Sequence, residues 1–499
     1  MNNIDKELKD ILDEEQNNII KSDEKYIMVS ACPGAGKTYT IVRKIEKELE
    51  TIKEFQGIIA CSFSNEAANE LKSRINKSID TSQSYIGTID SFVLKFIIGP
   101  FINRYLKEKG ELDEPVKINS IVFPENYNEI NLMTRLYDKS LEVRKNANEY
   151  CITWMKKLKN GEYEISFPTY LLAAKIVKMK IFNEYFSDRY TSLYIDEAQD
   201  LNFFQHILIN EIKNNTNINI IMVGDPNQSI YQFRGARPEL FNDLINKGYH
   251  KYNIDVSVRC HASIMYYANK IFNSSLTKTF EDNHVKIIDN INLELLRKME
   301  ENIYILTENN STAISLYEEF KDDYDIIYSK KLDLNNKEFN LNRDIIEELI
   351  KFYLNYDNIE DKYKYPIDQL MIMIQELNKK VKRNDFKIKN RALNEYLEDT
   401  TKSLNILLSE DTINEIVKKL EDEKYKYAYY VCDKNNRIMT IHSSKGLEAN
   451  NIVIVLESWK IDEAFKNKLF VAITRAKENV YIYYAERFAG KEFVTNLLK

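Results

Sequence analysis

A glycine-containing loop between a short apolar run and a helix-like stretch is the part of the chain best suited to chemistry. Residues Ala31–Thr38 read ACPGAGKT, which fits the phosphate-loop pattern GxxxxGK[ST] except that Ala31 stands in place of the first glycine. Gly34 and Gly36 allow backbone N–H groups to approach phosphate oxygens, and the start of a helix favours an anion. We expect Lys37 to reach the β- and γ-phosphates and Thr38 to bind Mg²⁺. The loop therefore predicts a nucleoside triphosphate site.

An acidic pair follows a separate apolar run. Residues Ile195–Asp200 read IDEAQD. An aspartate at a strand end, followed by a glutamate, suits metal-dependent phosphoryl transfer, with Asp196 holding Mg²⁺ and Glu197 activating the attacking water. By itself the segment is equally compatible with an ordinary acidic helix start. Together with the phosphate loop, it predicts hydrolysis of a nucleoside triphosphate.

A third segment combines a polar sensor with aromatic side chains. Residues Val223–Ala236 read VGDPNQSIYQFRGA. Gln228 lies just beyond a predicted strand, where an uncharged side chain can sense the γ-phosphate. Tyr231, Phe233 and Arg234 alternate aromatic and basic side chains and form a surface suited to stacking bases. The two aromatic residues are also compatible with positions in the core.

Short apolar runs that alternate with helix-like stretches must position these segments. Such alternation predicts an α/β fold with two parallel sheets, each buried on both faces. The first set of predicted strands is Lys25–Ala31, Gly57–Phe63, Ser192–Ile195 and Ile218–Asp225. The second set is Asn302–Leu306, Arg437–Ile441, Asn451–Leu456 and Asn479–Glu486.

Two long stretches interrupt these sets and are predicted to be helical insertions. No glycine occurs between Gly248 and Gly446, and Pro366 is the only proline between positions 325 and 435. The first α/β domain is predicted to span residues 1–91 and 166–254, with its insertion at 92–165. The second is predicted to span residues 255–324 and 431–499, with its insertion at 325–430.

Composition excludes several classes of protein. The 499 residues carry a formal net charge of −7, and 44% of them are hydrophobic, so ordinary cores can form and bulk disorder is not expected. The five cysteines never occur as CxxC, which argues against a disulfide framework or a zinc site. No apolar run approaches a membrane span, and the charged N-terminus lacks the apolar core of a signal peptide. We therefore expect a soluble cytoplasmic protein.

The ordered motifs resemble those of superfamily 1A DNA helicases, the UvrD, Rep and PcrA group. Besides the three segments above, the matching stretches are LDEEQ at 12–16, CSFSNEAANELKSRI at 61–75, GTIDSF at 87–92, IMTIHSSKGLEANNIVIVLE at 438–457 and LFVAITRAKENVYIYYAE at 469–486. The resemblance implies two RecA-like domains, 1A and 2A, with ATP in the cleft between them. It also implies helical insertions 1B and 2B and 3′-to-5′ movement along single-stranded DNA.

The resemblance also assigns roles to individual residues. The implied catalytic residues are Glu197, Gln228, Arg259 and Arg475, the two arginines matching the family's arginine fingers. The implied ATP-binding residues are Gln16, Ala31, Gly34, Ala35, Gly36, Lys37, Thr38, Tyr39 and Glu448, and the implied Mg²⁺ ligands are Thr38 and Asp196. The implied DNA-binding residues are Phe63, Thr88, Tyr231, Phe233, Arg234 and His442.

The chain departs from the family pattern at the adenine site. The family's fourth motif reads Asn-Tyr-Arg, whereas this chain has Ser257-Val258-Arg259 and lacks the tyrosine that stacks on adenine. Tyr39 replaces the usual arginine after the phosphate-loop threonine. Our hypothesis is that Tyr39 stacks on the opposite face of adenine while Gln16 reads the edge of the base.

The second insertion is short and lacks the Gly-Gly motif of larger relatives. Two basic stretches with aromatic residues, 156–167 and 378–391, are candidate DNA contacts within the insertions, although most charge runs are simply solvated faces. Few residues follow the last motif, so we expect no C-terminal nuclease domain.

Size and motif wording together resemble the GajB family of Gabija anti-phage defence systems. That resemblance implies a hetero-oligomer with a GajA-like nuclease and ATPase of the overcoming-lysogenisation-defect (OLD) type, acting on foreign DNA. Two alternatives remain open from the sequence. One is a stand-alone small UvrD-like repair helicase. The other is a DNA-sensing binding subunit whose ATP site is weak or vestigial.

Overall fold

The structure is a computed structural model, and it describes most of both sets of predicted strands. The described residues are 6–76, 78–110, 167–276, 280, 282–299, 302–328, 332, 334, 336, 338–339, 342–355, 393–403, 406, 408–430, 432, 434–458, 460–485 and 488–498. Most of the first predicted insertion, and the central part of the second, lie outside these residues. The two basic stretches fall there too, apart from the backbone of Phe167.

A six-stranded sheet forms the centre of the first half of the chain. Its strand order is β3-β2-β4-β5-β1-β6, and all five neighbouring pairs are parallel. In such a sheet the carboxyl ends of the strands share one edge, where loops from distant parts of the sequence meet. The strands are β1 Tyr26–Ala31, β2 Gly57–Ser62, β3 Tyr85–Thr88, β4 Tyr190–Ile195, β5 Asn219–Gly224 and β6 His250–Ile254.

Helices cover both faces of this sheet. Successive side chains of a strand point to opposite faces, so an apolar strand presents apolar side chains to the helices on each side. Met28 and Met222 belong to one hydrophobic cluster, whereas their neighbours Val29 and Val223 belong to another. The near-continuous apolar runs in the sequence are thus explained by burial on both sides. The helices are α1 Lys6–Lys21, α2 Lys37–Leu49, α3 Asn65–Arg74, α4 Ile89–Phe92, α5 Gly99–Glu108, α6 Phe167–Ile176, α7 Lys180–Arg189, α8 Phe203–Asn215, α9 Pro238–Asn242 and α10 Ala262–Lys270, with a π-helix at Val93–Ile98.

Local polar contacts fix where several of these helices begin. The Ser64 hydroxyl accepts a hydrogen bond from the Ala67 N–H at 3.2 Å and so caps α3. At the start of α8, Asn202 and Gln205 form a reciprocal capping box, with both hydrogen bonds at 2.9 Å. Helix α2 follows directly from the phosphate loop, whose last glycine is in the left-handed conformation.

A second six-stranded sheet has the order β7-β12-β11-β8-β10-β9. Strand β8 runs parallel to both β10 and β11, and β9 runs parallel to β10. The strands are β7 Val285–Ile287, β8 Ile303–Thr307, β9 Asp325–Ile327, β10 Arg437–Thr440, β11 Ala449–Leu456 and β12 Ala476–Tyr484. The helices are α11 Leu293–Lys298, α12 Asn310–Phe320, α13 Arg343–Asn355, α14 Leu393–Ser403, α15 Glu410–Leu420, α16 Glu423–Lys426, α17 Glu463–Ile473 and α18 Lys491–Leu498.

The predicted fold class, two α/β domains built on parallel sheets, is confirmed. By compactness, one unit consists of residues 1–286, 458–479 and 489–499, and the other of residues 287–457 and 480–488. Residues 458–479 thus group with the first unit, although the sequence places them in the second predicted domain. The predicted domain boundaries, which follow sheets and insertions rather than compactness, stay a prediction.

Among the described residues, the helical part of the second predicted insertion has its own small core. Phe339, Ile346, Leu397 and Ile416 belong to one buried apolar cluster contributed by α13, α14 and α15 and the segment before α13.

Among the described helices, none has the length and apolar composition of a membrane-spanning segment.

Candidate functional site

The phosphate loop lies between the carboxyl end of β1 and the first turn of α2. Gly34 and Gly36 have φ values of 74° and 75°, which other residues adopt only at a cost, so the glycines of the motif are needed for the backbone path. The Lys37 ammonium donates to the Ala31 carbonyl at 3.3 Å and is therefore folded back over the loop. Thr38 is half-buried in the first turn of α2. The start of α2 and the ammonium of Lys37 together favour an anion at this position.

Three other segments anchor the loop. The Gln16 amide donates to the Ala35 carbonyl at 3.0 Å, so this buried side chain supports the loop itself. The Cys32 N–H donates to the Ile254 carbonyl at 2.9 Å, at the end of β6. The Val258 N–H donates to the Gly34 carbonyl at 3.0 Å. The segment that carries Arg259 therefore rests directly on the loop.

The acidic pair lies at the carboxyl end of β4. Asp196 is buried, its N–H donates to the Cys61 carbonyl, and its Oδ1 accepts a hydrogen bond from the Glu197 N–H, both at 2.9 Å. Glu197 has φ 55° and ψ 39°, a left-handed conformation that is rare for a residue other than glycine. Such conformations persist only where the surroundings enforce them, and they concentrate at functional sites.

The third segment forms a polar chain at the end of β5. The Gln228 amide donates to Asp225 Oδ2 at 2.8 Å, and the Asn227 N–H donates to Asp225 Oδ1 at 3.0 Å. Burial raises the pKa of the Asp225 carboxyl, against the opposing effects of Lys37 and of these hydrogen bonds. Gln228 Oε1 in turn accepts from the Arg475 guanidinium at 3.5 Å. The first compact unit therefore brings Gln228 and Arg475 together.

Both predicted arginine fingers belong to that unit. Arg475 is buried, and its Nε donates to the Val471 carbonyl at 3.1 Å. Arg259 Nη1 donates to the Thr474 carbonyl at 3.4 Å, which places Arg259 next to the same turn. The Asn467 amide, on α17, donates to the Ser229 carbonyl at 2.8 Å and fixes this helix against the third segment. No sequence motif marks Asn467, because only the tertiary structure brings its amide to the Ser229 carbonyl.

An aromatic and basic surface adjoins the polar chain. Phe63 and Tyr231 stack with ring centroids 5.0 Å apart, and Phe233 lies 6.2 Å from Tyr231. The Arg234 guanidinium lies 5.3 Å from the Tyr231 ring and 5.5 Å from the Phe233 ring. Phe233 is 55% exposed, so it is not a core residue. Stacked rings beside a guanidinium are the features that single-stranded nucleic acids bind.

The remaining predicted residues lie at separate positions. Thr88 ends β3 and caps α4, where its hydroxyl accepts from the Ser91 N–H at 3.3 Å. Tyr39 is 47% exposed on the first turn of α2, with the Arg43 guanidinium 5.3 Å from its ring. His442 and Glu448 both lie in the turn between β10 and β11, in the other compact unit.

The donor set fits Mg²⁺ better than a softer metal. The candidate ligands are the Thr38 hydroxyl and the Asp196 carboxylate, which are hard oxygen donors. Within the described ranges no group of three or more His, Cys, Asp or Glu side chains is arranged to hold a metal by itself.

Two family models match parts of the chain. Residues 16–234 match a model described as an AAA domain, and residues 436–483 match a model described as a UvrD-like helicase C-terminal domain. Gabija protein GajB of Bacillus cereus (strain VD045) is 29% identical over 95% of this chain and 95% of that protein.

More distant relatives are named as helicases. DNA helicase II of Escherichia coli (strain K12) is 24% identical over 54% of this chain and 41% of that protein. ATP-dependent DNA helicase Rep of Buchnera aphidicola subsp. Baizongia pistaciae is 28% identical over 44% of this chain and 36% of that protein. The chain thus spans less than half the length of these two helicases but nearly the full length of GajB. The resemblance that the motifs predict is confirmed.

Proposed function

We propose that this chain, a UvrD-like ATP-dependent DNA helicase by its motifs and relatives, is a motor that hydrolyses ATP in order to move along single-stranded DNA. The supporting observation is the arrangement of residues 225–234. Gln228, near the start of this segment, contacts Arg475, and Tyr231, three residues further along, stacks on Phe63. A change in the contacts of Gln228 is therefore passed to the base-stacking surface over a very short stretch of backbone.

The proposed hydrolysis uses residues at the carboxyl edge of the first sheet. Glu197 accepts a proton from the attacking water as the water oxygen bonds to the γ-phosphorus and the bond from that phosphorus to the bridging oxygen breaks, so that ADP and phosphate leave. Asp196 and Thr38 would hold the Mg²⁺ that accompanies the nucleotide, and the ion would supply positive charge to the phosphate oxygens. Lys37, Arg259 and Arg475 supply positive charge to the phosphate oxygens as negative charge redistributes over them. Gln228 reports whether the γ-phosphate is present.

Nucleotide binding must displace one contact seen in the structure. The Lys37 ammonium currently donates to the Ala31 carbonyl, within the loop itself. We propose that this ammonium turns to the β- and γ-phosphates when ATP binds. The Gln16 contact with Ala35 couples α1 to the same loop, so adenine recognition and loop geometry are adjusted together.

The test is the rate of ATP hydrolysis by the full chain, with and without single-stranded DNA. We expect strong stimulation by DNA and loss of hydrolysis, but not of ATP binding, in Glu197→Gln. Removal of a general base typically lowers a rate by about 10² to 10⁴. A folded wild-type chain that binds DNA but shows no hydrolysis in either condition would favour the alternative of a DNA-sensing subunit with a vestigial site. Direction of movement, proposed as 3′ to 5′, is tested by displacement of streptavidin from either end of a biotinylated strand.

We further propose that the motor is the helicase-like subunit of a Gabija-type anti-phage complex. The support is the similarity to GajB along nearly the whole of both chains. The proposed partner is an OLD-type nuclease and ATPase encoded beside the gene for this chain.

Co-expression of the two proteins tests this role. We expect co-elution in one large hetero-oligomer and a reduction in phage plaques that requires Glu197. A chain that remains separate from the neighbouring gene product, yet has full DNA-stimulated ATPase activity, would instead indicate a stand-alone repair helicase.

A further inference from the structure

Gln199 lies at the junction of the acidic pair and the third segment. Its side chain is fully buried. The amide Nε2 donates to Glu197 Oε2 at 2.5 Å, and the amide Oε1 accepts from the Asp225 N–H at 3.0 Å. The Gln199 carbonyl also accepts from the Ser229 hydroxyl at 3.2 Å. One side chain thus joins the ends of β4 and β5.

The two hydrogen bonds fix the orientation of the amide. A carboxylate only accepts and a backbone N–H only donates, so the NH₂ must face Glu197 and the oxygen must face Asp225. The backbone around the amide leaves no spare room, since a Cβ at Gly224 would lie 2.3 Å from Gln199 Oε1. The glycine at the end of β5 therefore permits the close approach of this glutamine.

The backbone conformation of Glu197 also indicates that this residue is held in place by its neighbours. Glu197 and Asn302 are the only non-glycine residues with positive φ in the described part of the chain. A strained residue keeps one conformation only when its neighbours determine it, and the Gln199 amide holds the carboxylate of this one.

We infer that Gln199 is a positioning residue for ATP hydrolysis: it holds the Glu197 carboxylate in place and links it to the Asp225–Gln228–Arg475 chain. This inference rests on the proposed role of Glu197 as the base. Gln199 contacts the base through one amide atom and the backbone of Asp225 through the other. The position of the base is therefore tied to the segment that senses the γ-phosphate and stacks on bases.

The first test is Gln199→Ala in the full chain, measured at saturating ATP and DNA. We expect kcat to fall by about 10², the loss typical of a catalytic group displaced by about 1 Å, while KM for ATP changes by less than about threefold. A structural role alone would lower thermal stability and leave kcat per folded molecule unchanged.

The second test is Gln199→Glu, which preserves the shape of the side chain. It places a second carboxylate against Glu197, and like charges at that distance raise the pKa at which the pair loses its last proton. The acid limb of the profile of kcat against pH should move upward by about one unit or more. This variant keeps the acceptor for the Asp225 N–H, so it serves even if the alanine variant does not fold.

The matched control is Gln205→Ala. Gln205 is also a buried glutamine, but its partners are the Asn202 N–H and the Tyr170 hydroxyl. We expect it to lower the melting temperature without moving the acid limb. An unshifted acid limb in Gln199→Glu, or equal losses of kcat in Gln199→Ala and Gln205→Ala, would overturn the inference. Absence of hydrolysis by the wild-type chain would instead refute the proposed function on which the inference depends.

Discussion

Substitution of Gly34 by alanine should push the segment that carries Arg259 away from the phosphate loop on which it rests. A Cβ at position 34 would lie 2.4 Å from Arg259 Cβ, 2.7 Å from Ser257 Oγ and 3.1 Å from the Arg259 nitrogen. Two of these three atoms belong to backbone or to Cβ, so no flexible side chain can simply swing away. The segment carrying Arg259 must retreat.

The size of the retreat follows from the contact distance. Non-bonded carbons pack at about 3.5 Å or more, so a contact at 2.4 Å must open by about 1 Å. A catalytic group displaced by that amount loses about 10² in rate. The positive φ of Gly34 adds a separate cost of roughly 1–2 kcal/mol in stability, because Cβ is disfavoured in the left-handed region.

Gly248→Ala is the matched control for Gly34→Ala. Gly248 has φ 80°, but a Cβ there would meet nothing within 4 Å, so only the backbone cost applies. The assay is kcat at saturating ATP and single-stranded DNA, with thermal unfolding measured in parallel. We expect Gly248→Ala to lose only the backbone contribution to stability and Gly34→Ala to lose more, because of its steric contacts. We expect kcat per folded molecule to fall by about 10² in Gly34→Ala alone. Equal kcat values for the two variants would refute the steric coupling of Gly34 to Arg259.

Three further predictions concern adenine, DNA and pH. Tyr39→Ala should weaken ATP binding and Tyr39→Phe should restore it, because the exposed ring is the proposed stacking surface; unchanged affinity in calorimetric titrations would contradict this. Phe233→Ala should weaken binding of oligo-dT by about 1–3 kcal/mol in fluorescence anisotropy while leaving the ATP affinity of the DNA-free chain unchanged. Burial lowers the pKa of His206 from 6.5 to about 3, so the unfolded chain takes up the proton first and stability falls as pH decreases below 6.5. At pH 5 this proton uptake lowers the free energy of unfolding by about 2 kcal/mol relative to pH 7.5. Chemical denaturation at the two pH values should detect the difference, and His206→Leu should not show it.

The sequence predicts the interior strands and the motifs at their ends well. The apolar run before ACPGAGKT and the run before IDEAQD correspond to β1 and β4, because strands buried on both faces need near-continuous apolar sequence. Strands β3, β6, β7 and β9 were not predicted. Two of them, β3 and β6, form the edges of the first sheet, and the burial pattern of β6 is mostly exposed, so hydrophobicity does not mark it.

Contacts between segments could not be predicted in the same way. The order β3-β2-β4-β5-β1-β6 brings the ends of β4 and β5 together, and the role of Gln199 exists only because of that adjacency. Gln16 was expected to read the adenine edge, and the structure adds a bond to the Ala35 carbonyl that no spacing rule contains. Arg43 beside Tyr39 is likewise a helix-surface contact that the motif comparison ignores.

In the proposed motor, ATP and single-stranded DNA act on one shared segment, residues 225–234. The most direct measurement is the affinity of Glu197→Gln for ATP with and without saturating oligo-dT, together with its affinity for oligo-dT with and without saturating ATP. Any coupling between the ATP site and the DNA site changes the affinity for each ligand by the same factor, typically about 5- to 150-fold, so the two measurements check each other. We predict a factor in this range that shrinks when Gln228 is replaced by alanine. If the affinity for each ligand is the same with and without the other, ATP and DNA do not act through residues 225–234.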